Sequence, residues 1–186
     1  MIYTITVEGT HRRTVRRGWS PTWSPGGRHI AFLRVQHRGA LPGRDRTRIG
    51  IMRPNGTRLR FLTPGHNDSA PAFSPDGRSV AYVRNYAGVQ GEQWRIIDAD
   101  GSGARLVRTL NGASNIRYCA PQWSPDGQRL ATIRTVDDPT DNDPSTAQFT
   151  TVDPSGTDER VAFTFPMGNV PRYSMCDFSW RPRPQP

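Results

Sequence analysis

Ala70-Pro-Ala-Phe-Ser-Pro-Asp-Gly-Arg-Ser-Val-Ala-Tyr82 decides the fold, because it does not stand alone. Ser20-Pro-Thr-Trp-Ser-Pro-Gly-Gly-Arg-His-Ile-Ala-Phe32 precedes it and Ala120-Pro-Gln-Trp-Ser-Pro-Asp-Gly-Gln-Arg-Leu-Ala-Thr132 follows it, so Ser24, Ser74 and Ser124 stand 50 residues apart. A degenerate fourth copy, Cys176-Asp-Phe-Ser-Trp-Arg-Pro182, places Trp180 57 residues after Trp123. Between the copies runs a second motif: Ile49-Gly-Ile-Met-Arg-Pro-Asn-Gly56, Trp94-Arg-Ile-Ile-Asp-Ala-Asp-Gly101 and Phe149-Thr-Thr-Val-Asp-Pro-Ser-Gly156. Ile2-Tyr-Thr-Ile-Thr-Val-Glu-Gly9 is a fourth copy of this one, so the chain begins in mid-repeat. A repeat of this length marks a solenoid or a propeller.

In Ser-Pro-Asp-Gly, Pro presets φ and Gly accepts a positive φ, which closes a tight hairpin; Asp76 and Asp126 are therefore turn formers. The following segments, His29 to Arg34 and Ser79 to Arg84, are continuously apolar, as expected of strands covered on both faces. One repeat then reads as strand A over 118–124, B over 128–134, C over 147–152 and D over 159–165, with equivalents about 50 residues away. Four antiparallel strands make a propeller blade. The predicted fold is all-β: a single β-propeller domain over 1–186 of about four four-stranded blades, the last one incomplete. The repeats fall at about 16–65, 66–113 and 114–165, with a shared blade from 166–182 plus 1–15. A blade cannot bury both its faces alone, so Trp23, Phe73, Trp123 and Trp180 read as packing residues between stacked blades.

The Ser-Pro-Asp-Gly turn, the Ile/Val-Ala-Phe/Tyr strand after it and the Asn/Asp-Gly turn together resemble the repeats of TolB-type, WD-repeat-like β-propellers. The likeness runs over nearly the whole chain. The first copy departs from it: Gly26 replaces the Asp, which removes an Asp-turn hydrogen bond but leaves a usable turn. The resemblance implies a rigid interaction scaffold, often outside the bacterial cytoplasm, or the non-catalytic domain of a larger serine peptidase.

Ring closure leaves strand B of the shared blade without a source: Asp177 to Pro182 supplies A, while Ile2 to Val7 and His11 to Val15 supply C and D. Two unpaired sheet edges would result, which natural proteins avoid. Three arrangements fit this: residues missing before Met1, a small ring with one three-stranded blade, or an open arc that dimerises. The chain is thus expected to be a monomer or a dimer. Its compartment stays open, cytoplasmic as written and extracytoplasmic if the N-terminus is truncated.

Composition narrows the partners. Gly (18) and Pro (17) are abundant and the hydrophobic fraction is only 34%, which suits short strands and turns. No apolar run is long enough to span a bilayer as a helix. The net charge is +9, yet all 25 basic residues are Arg, and this points to genomic base composition. The charge is uneven, since residues 1–60 hold 13 Arg against Glu8 and Asp45. Such a third attracts phosphates or an acidic partner, but interleaved aromatics for base stacking are sparse there, which argues against nucleic acid.

In an up-and-down blade the A–B and C–D turns share one end and the longer B–C and D–A connections share the other. Gln36 to Thr47, Asn85 to Glu92 and Thr135 to Thr146, with Pro64 to Ser69, Asn111 to Arg117 and Pro166 to Ser174, make the second end variable. Variable loops on a rigid scaffold carry binding. The candidate binding residues are Arg38, Arg44, Arg46, Arg48, Tyr86, Arg117, Tyr118 and Tyr173. The acidic run Asp137-Asp-Pro-Thr-Asp-Asn-Asp143 lacks the Gly and the terminal Glu of a twelve-residue calcium loop, and no metal or cofactor is assigned. Cys119 and Cys176 occupy equivalent positions at the entry of strand A, where two thiols either form a disulfide in an oxidising compartment or stay free; the spacing of neighbouring inner strands against the ~7 Å disulfide limit favours free buried thiols. His11, His29, His37 and His66 show no zinc spacing with either cysteine. No G-x-S-x-G, phosphate-binding glycine loop or H-E-x-x-H occurs, so a non-catalytic scaffold for a protein or polymer partner is expected. The alternatives are a propeller associated with a serine peptidase or hydrolase, or nucleic-acid binding through the basic third.

Overall fold

The computed structural model describes residues 1–36, 46–85, 91–110, 116–137 and 144–166. Its fifteen strands are β1 (Ile2–Thr4), β2 (Arg13–Arg16), β3 (Trp19–Trp23), β4 (Ile30–Gln36), β5 (Arg46–Met52), β6 (Arg60–Phe61), β7 (Asp68–Phe73), β8 (Ser79–Asn85), β9 (Glu92–Asp98), β10 (Arg105–Leu110), β11 (Ile116–Tyr118), β12 (Gln122–Trp123), β13 (Leu130–Asp137), β14 (Pro144–Val152) and β15 (Glu159–Pro166). No helix occurs among the described residues. β3 to β6 form one antiparallel meander, β7 to β10 a second and β11 to β15 a third, while β1 and β2 form a hairpin of their own. We call the three meanders blades 1, 2 and 3.

The repeated turns explain why each meander forms. The N–H groups of Gly27, Gly77 and Gly127 donate to the carbonyls of Ser24, Ser74 and Ser124 at 2.8, 2.8 and 2.9 Å. All three glycines have positive φ, of 64°, 70° and 70°. In blade 2 the Asp76 carboxylate accepts from Ser74 Oγ at 2.6 Å and from the Arg78 N–H at 3.0 Å. Blade 3 repeats both bonds through Asp126, Ser124 and Gln128 at the same distances. In blade 1, where Gly26 stands in the Asp position, Ser24 Oγ still accepts from the His29 N–H at 3.0 Å, and the turn closes without a carboxylate.

Strand A is not the continuous strand expected over 118–124. Its two pieces, β11 and β12, both pair with β13, and Cys119, Ala120 and Pro121 interrupt them. The same place in blades 1 and 2 carries a register shift, with Ser20 and Ala70 at φ of 47° and 50°. Pro21, Pro71 and Pro121 are the cause, since a residue without N–H cannot donate to the ladder and forces a bulge.

The core lies between blades. Ala31, Leu33, Ile49 and Ile51 of blade 1 meet Phe73, Val80, Tyr82 and Ile97 of blade 2. Ala81, Val83, Ile96 and Val107 of blade 2 meet Leu130 and Val152 of blade 3, with Trp123 packed against them. Ile2 of the hairpin covers Ile30, Phe32 and Met52. Alternate residues of each B strand thus face the preceding and the following blade, which accounts for their continuous apolarity. The first and last described strands differ from this pattern. Tyr3 and Ile5 of the hairpin are 45% and 58% exposed, and Val161 and Phe163 of β15 are 50% and 55% exposed.

Candidate binding face

The C–D turns close on themselves as the A–B turns do. Gly56, Gly101 and Gly156 donate to the carbonyls of Arg53, Asp98 and Asp153, and Asn55 and Asp100 accept from the backbone two residues on. Self-satisfied turns of near-constant sequence occupy this end of the blades. The opposite end carries the B–C and D–A connections.

Those connections are shorter than expected. β5 already begins at Arg46, β11 at Ile116 and β14 at Pro144, and β13 continues to Asp137. Arg46 and Arg48 are therefore strand residues, paired with Gln36 and Arg34. Arg117 and Tyr118 pair with Thr135 and Arg134. The sequence placed Arg46 and Arg117 in loops because their segments are polar, but ladder pairing carries each strand past the end of its apolar stretch. Arg38, Arg44, Tyr86 and Tyr173 lie outside the described residues, as does the acidic run after Asp137.

Arg34, Arg46 and Arg48 share one face of blade 1, because Arg34 and Arg48 are direct cross-strand partners and Arg46 lies two residues before Arg48. All three are half-buried. The Arg48 guanidinium lies 3.3 Å from the centroid of the Phe61 ring, and its Nε is buried with no hydrogen-bond partner among the described residues. Burial, and then the neighbouring Arg34 charge, hold Arg48 below the usual arginine range. Other arginines are compensated: Arg84 by Asp68, Arg108 by Glu159, and Arg129 and Arg160 by Asp158. In the first of these, Arg84 Nε and Nη2 donate to the two Asp68 oxygens at 2.7 and 3.2 Å, and Asp68 is fully buried.

A concavity of about 480 Å³ opens between the inner strands, lined by Trp23, Pro71, Phe73, Pro121 and Trp123 among others. The Trp123 indole N–H donates to the Ala72 carbonyl of the preceding blade at 3.2 Å, which makes it a packing residue with a polar tether. Phe73 is buried, whereas Trp23 is 50% exposed. Cys119, expected as a free thiol, is disulfide-bonded. The break in strand A removes it from regular strand spacing and sets it among Ile133 and Ala147. The chain's other cysteine, Cys176, lies outside the described residues.

No protein-family model matches the sequence. The Tol-Pal system protein TolB of Gluconobacter oxydans is 37% identical over 111 residues, 57% of this chain and 22% of that protein. The structure of a putative TolB from Agrobacterium tumefaciens superposes with a TM-score of 0.64 at 20% identity, over 88% of this chain and 56% of that one. The fold is a TolB-type β-propeller. Puromycin hydrolase shares the propeller, with a TM-score of 0.62 at 17% identity over 83% of this chain and 25% of that one. The chain thus spans about a fifth of this curated relative and about half of the Agrobacterium structure.

Proposed function

We propose that this TolB-type propeller is a non-catalytic scaffold that holds a protein partner at the end carrying the B–C and D–A connections. The observation that carries this is the difference between the two ends. The short turns bond to themselves, while the other end presents Arg46 and Arg48 without an acidic partner among the described residues. Unpaired charge on a rigid strand is a costly feature for stability and a useful one for recognition. A relative named for the Tol-Pal system supports a protein as the partner. The disulfide-bonded state of Cys119 supports a site outside the reducing cytoplasm.

Photo-crosslinkers at positions 46 and 128, one at each end, test the reading in cells. Adducts of defined mass from position 46 and none from 128 are expected; the reverse pattern overturns the assignment of the face. A second reading, a propeller that serves a hydrolase, draws on the fold shared with puromycin hydrolase. Aminoacyl p-nitroanilide hydrolase activity that co-purifies with the tagged chain from cells, and is absent from the chain alone, would favour it.

A further inference from the structure

The three blades carry an arginine at the same B-strand position, Arg34, Arg84 and Arg134, each one repeat from the next. Arg84 and Arg134 face the preceding blade and Arg34 faces the side of the β1–β2 hairpin, each on the same side of its strand as Tyr82, Thr132 or Phe32. What stands opposite differs. In blade 2 the A-strand neighbour is Asp68 and the C-strand neighbour is Gln93. Asp68 supplies a carboxylate that Arg84 takes with two hydrogen bonds. In blade 3 the C-strand neighbour is Gln148, whose Oε1 accepts from Arg134 at 3.2 Å. In blade 1 the C-strand neighbour is a second arginine, Arg48. The A-strand position level with Arg34 is Gly18, the residue before Trp19, which pairs with Leu33.

Blade 1 therefore keeps the arginine and lacks the acid. No side chain at position 18 replaces it without rearrangement, because a Cβ there would lie 2.5 Å from the Phe32 ring and 2.8 Å from the Leu33 carbonyl. Like charges directly opposite each other on a sheet oppose folding. Neither Arg34 nor Arg48 has a hydrogen-bond or ion-pair acceptor among the described residues, and Glu8 and Asp45 are the only acids in residues 1–60.

We propose that Arg34 and Arg48 form a carboxylate-binding site, filled by an acidic side chain or C-terminus of the protein partner. This inference rests on the reading of the face given above and adds the chemistry of what it binds. The choice of carboxylate comes from blade 2, where the same arginine position holds a carboxylate in a two-bonded geometry that suits a planar guanidinium. A pair of guanidiniums extends that capacity to a group arriving from outside the chain.

The test uses the full chain and a hexaglutamate peptide at low salt, read by calorimetry or fluorescence anisotropy. The key variant is Arg48→Gln, since Gln93 and Gln148 already fill this position in the other blades, so the fold accepts it. The expected result is a drop of about tenfold or more in hexaglutamate affinity, together with a melting temperature raised by about 1–3 °C as the repulsion is relieved. Arg34→Gln should lower the affinity similarly, and Arg78→Gln at the opposite end should leave it unchanged. Equal binding by wild type and Arg48→Gln overturns the carboxylate site and leaves the face assignment standing, because the crosslinking pattern reads that separately. Tighter binding of a dT12 oligonucleotide than of hexaglutamate overturns it too, in favour of phosphate.

Discussion

Replacing Asp68 by Ala tests how much the buried ion pair between β7 and β8 stabilises blade 2. Asp68 is fully buried at the start of β7, and its carboxylate accepts two bonds from Arg84. Its backbone carbonyl also accepts from Thr47 Oγ1 of blade 1 at 2.6 Å, so the residue sits at the seam. Removing one partner of a buried pair typically costs about 3–5 kcal/mol, because the other charge is left desolvated. Arg84 retains the Tyr82 ring, 5.5 Å from its guanidinium carbon, and a residual exposure of 9%, so the lower end of that range applies. For a chain of this size, about 3 kcal/mol lowers the melting temperature by roughly 10 °C. Urea unfolding followed by tryptophan fluorescence measures the loss directly. The pair Asp68→Leu with Arg84→Met removes both charges and should return to within about 1 kcal/mol of wild type. A loss below about 1 kcal/mol for Asp68→Ala, or a double variant no better than the single one, refutes the argument.

Gly156→Ala combines a positive φ of 83° with a Cβ that would sit 1.8 Å from the Val107 carbonyl oxygen, whereas Gly127→Ala at φ 70° meets only Pro75 at 3.5 Å. Gly127→Ala should cost about 1–2 kcal/mol and Gly156→Ala clearly more, by denaturant midpoint. Asp76→Ala removes a carboxylate held below its usual range by Ser74 Oγ and the Arg78 N–H. The wild type should lose this contribution as pH falls below about 4, and the variant should show a shallower acid limb. His29 is held below its usual range by burial and by Arg60, Arg53 and Arg28, so the unfolded chain binds the proton more readily. Stability should therefore fall as pH drops below about 6.5, and His29→Ser, the residue that blade 2 carries at position 79, should flatten that slope.

The blades could be read from the sequence because the information is local. Ser74, Asp76 and Gly77 lie within four residues and specify their turn, and Gly26 announced the missing bond in blade 1. Strand A was only half legible: Pro71 and Pro121 signalled that the ladder could not continue, but not that Ser20 and Ala70 would adopt positive φ to restore it. The site was harder to read because its parts lie in different strands. Arg34 and Arg48 become neighbours only once the B–C register is fixed, and Asp68 meets Arg84 across the A–B register. Polar residues at strand ends look like loop residues until the pairing is known. Cys119 sits in a local break of strand A that its repeat position conceals.

The exposed flank of β15 has a consequence for how the chain is made. Phe149 and Phe163 stack there at 5.2 Å between centroids, on a sheet face of the kind that blades 1 and 2 cover with their successors. On a ribosome, blades emerge in order, and each arrival shields the greasy flank of the one before. The nascent polypeptide accordingly shows a chaperone one sticky flank at its leading edge of synthesis, whether one blade or three have been translated. Exposure stays level while length grows, which lets such an array be extended by duplication without a matching rise in its tendency to clump.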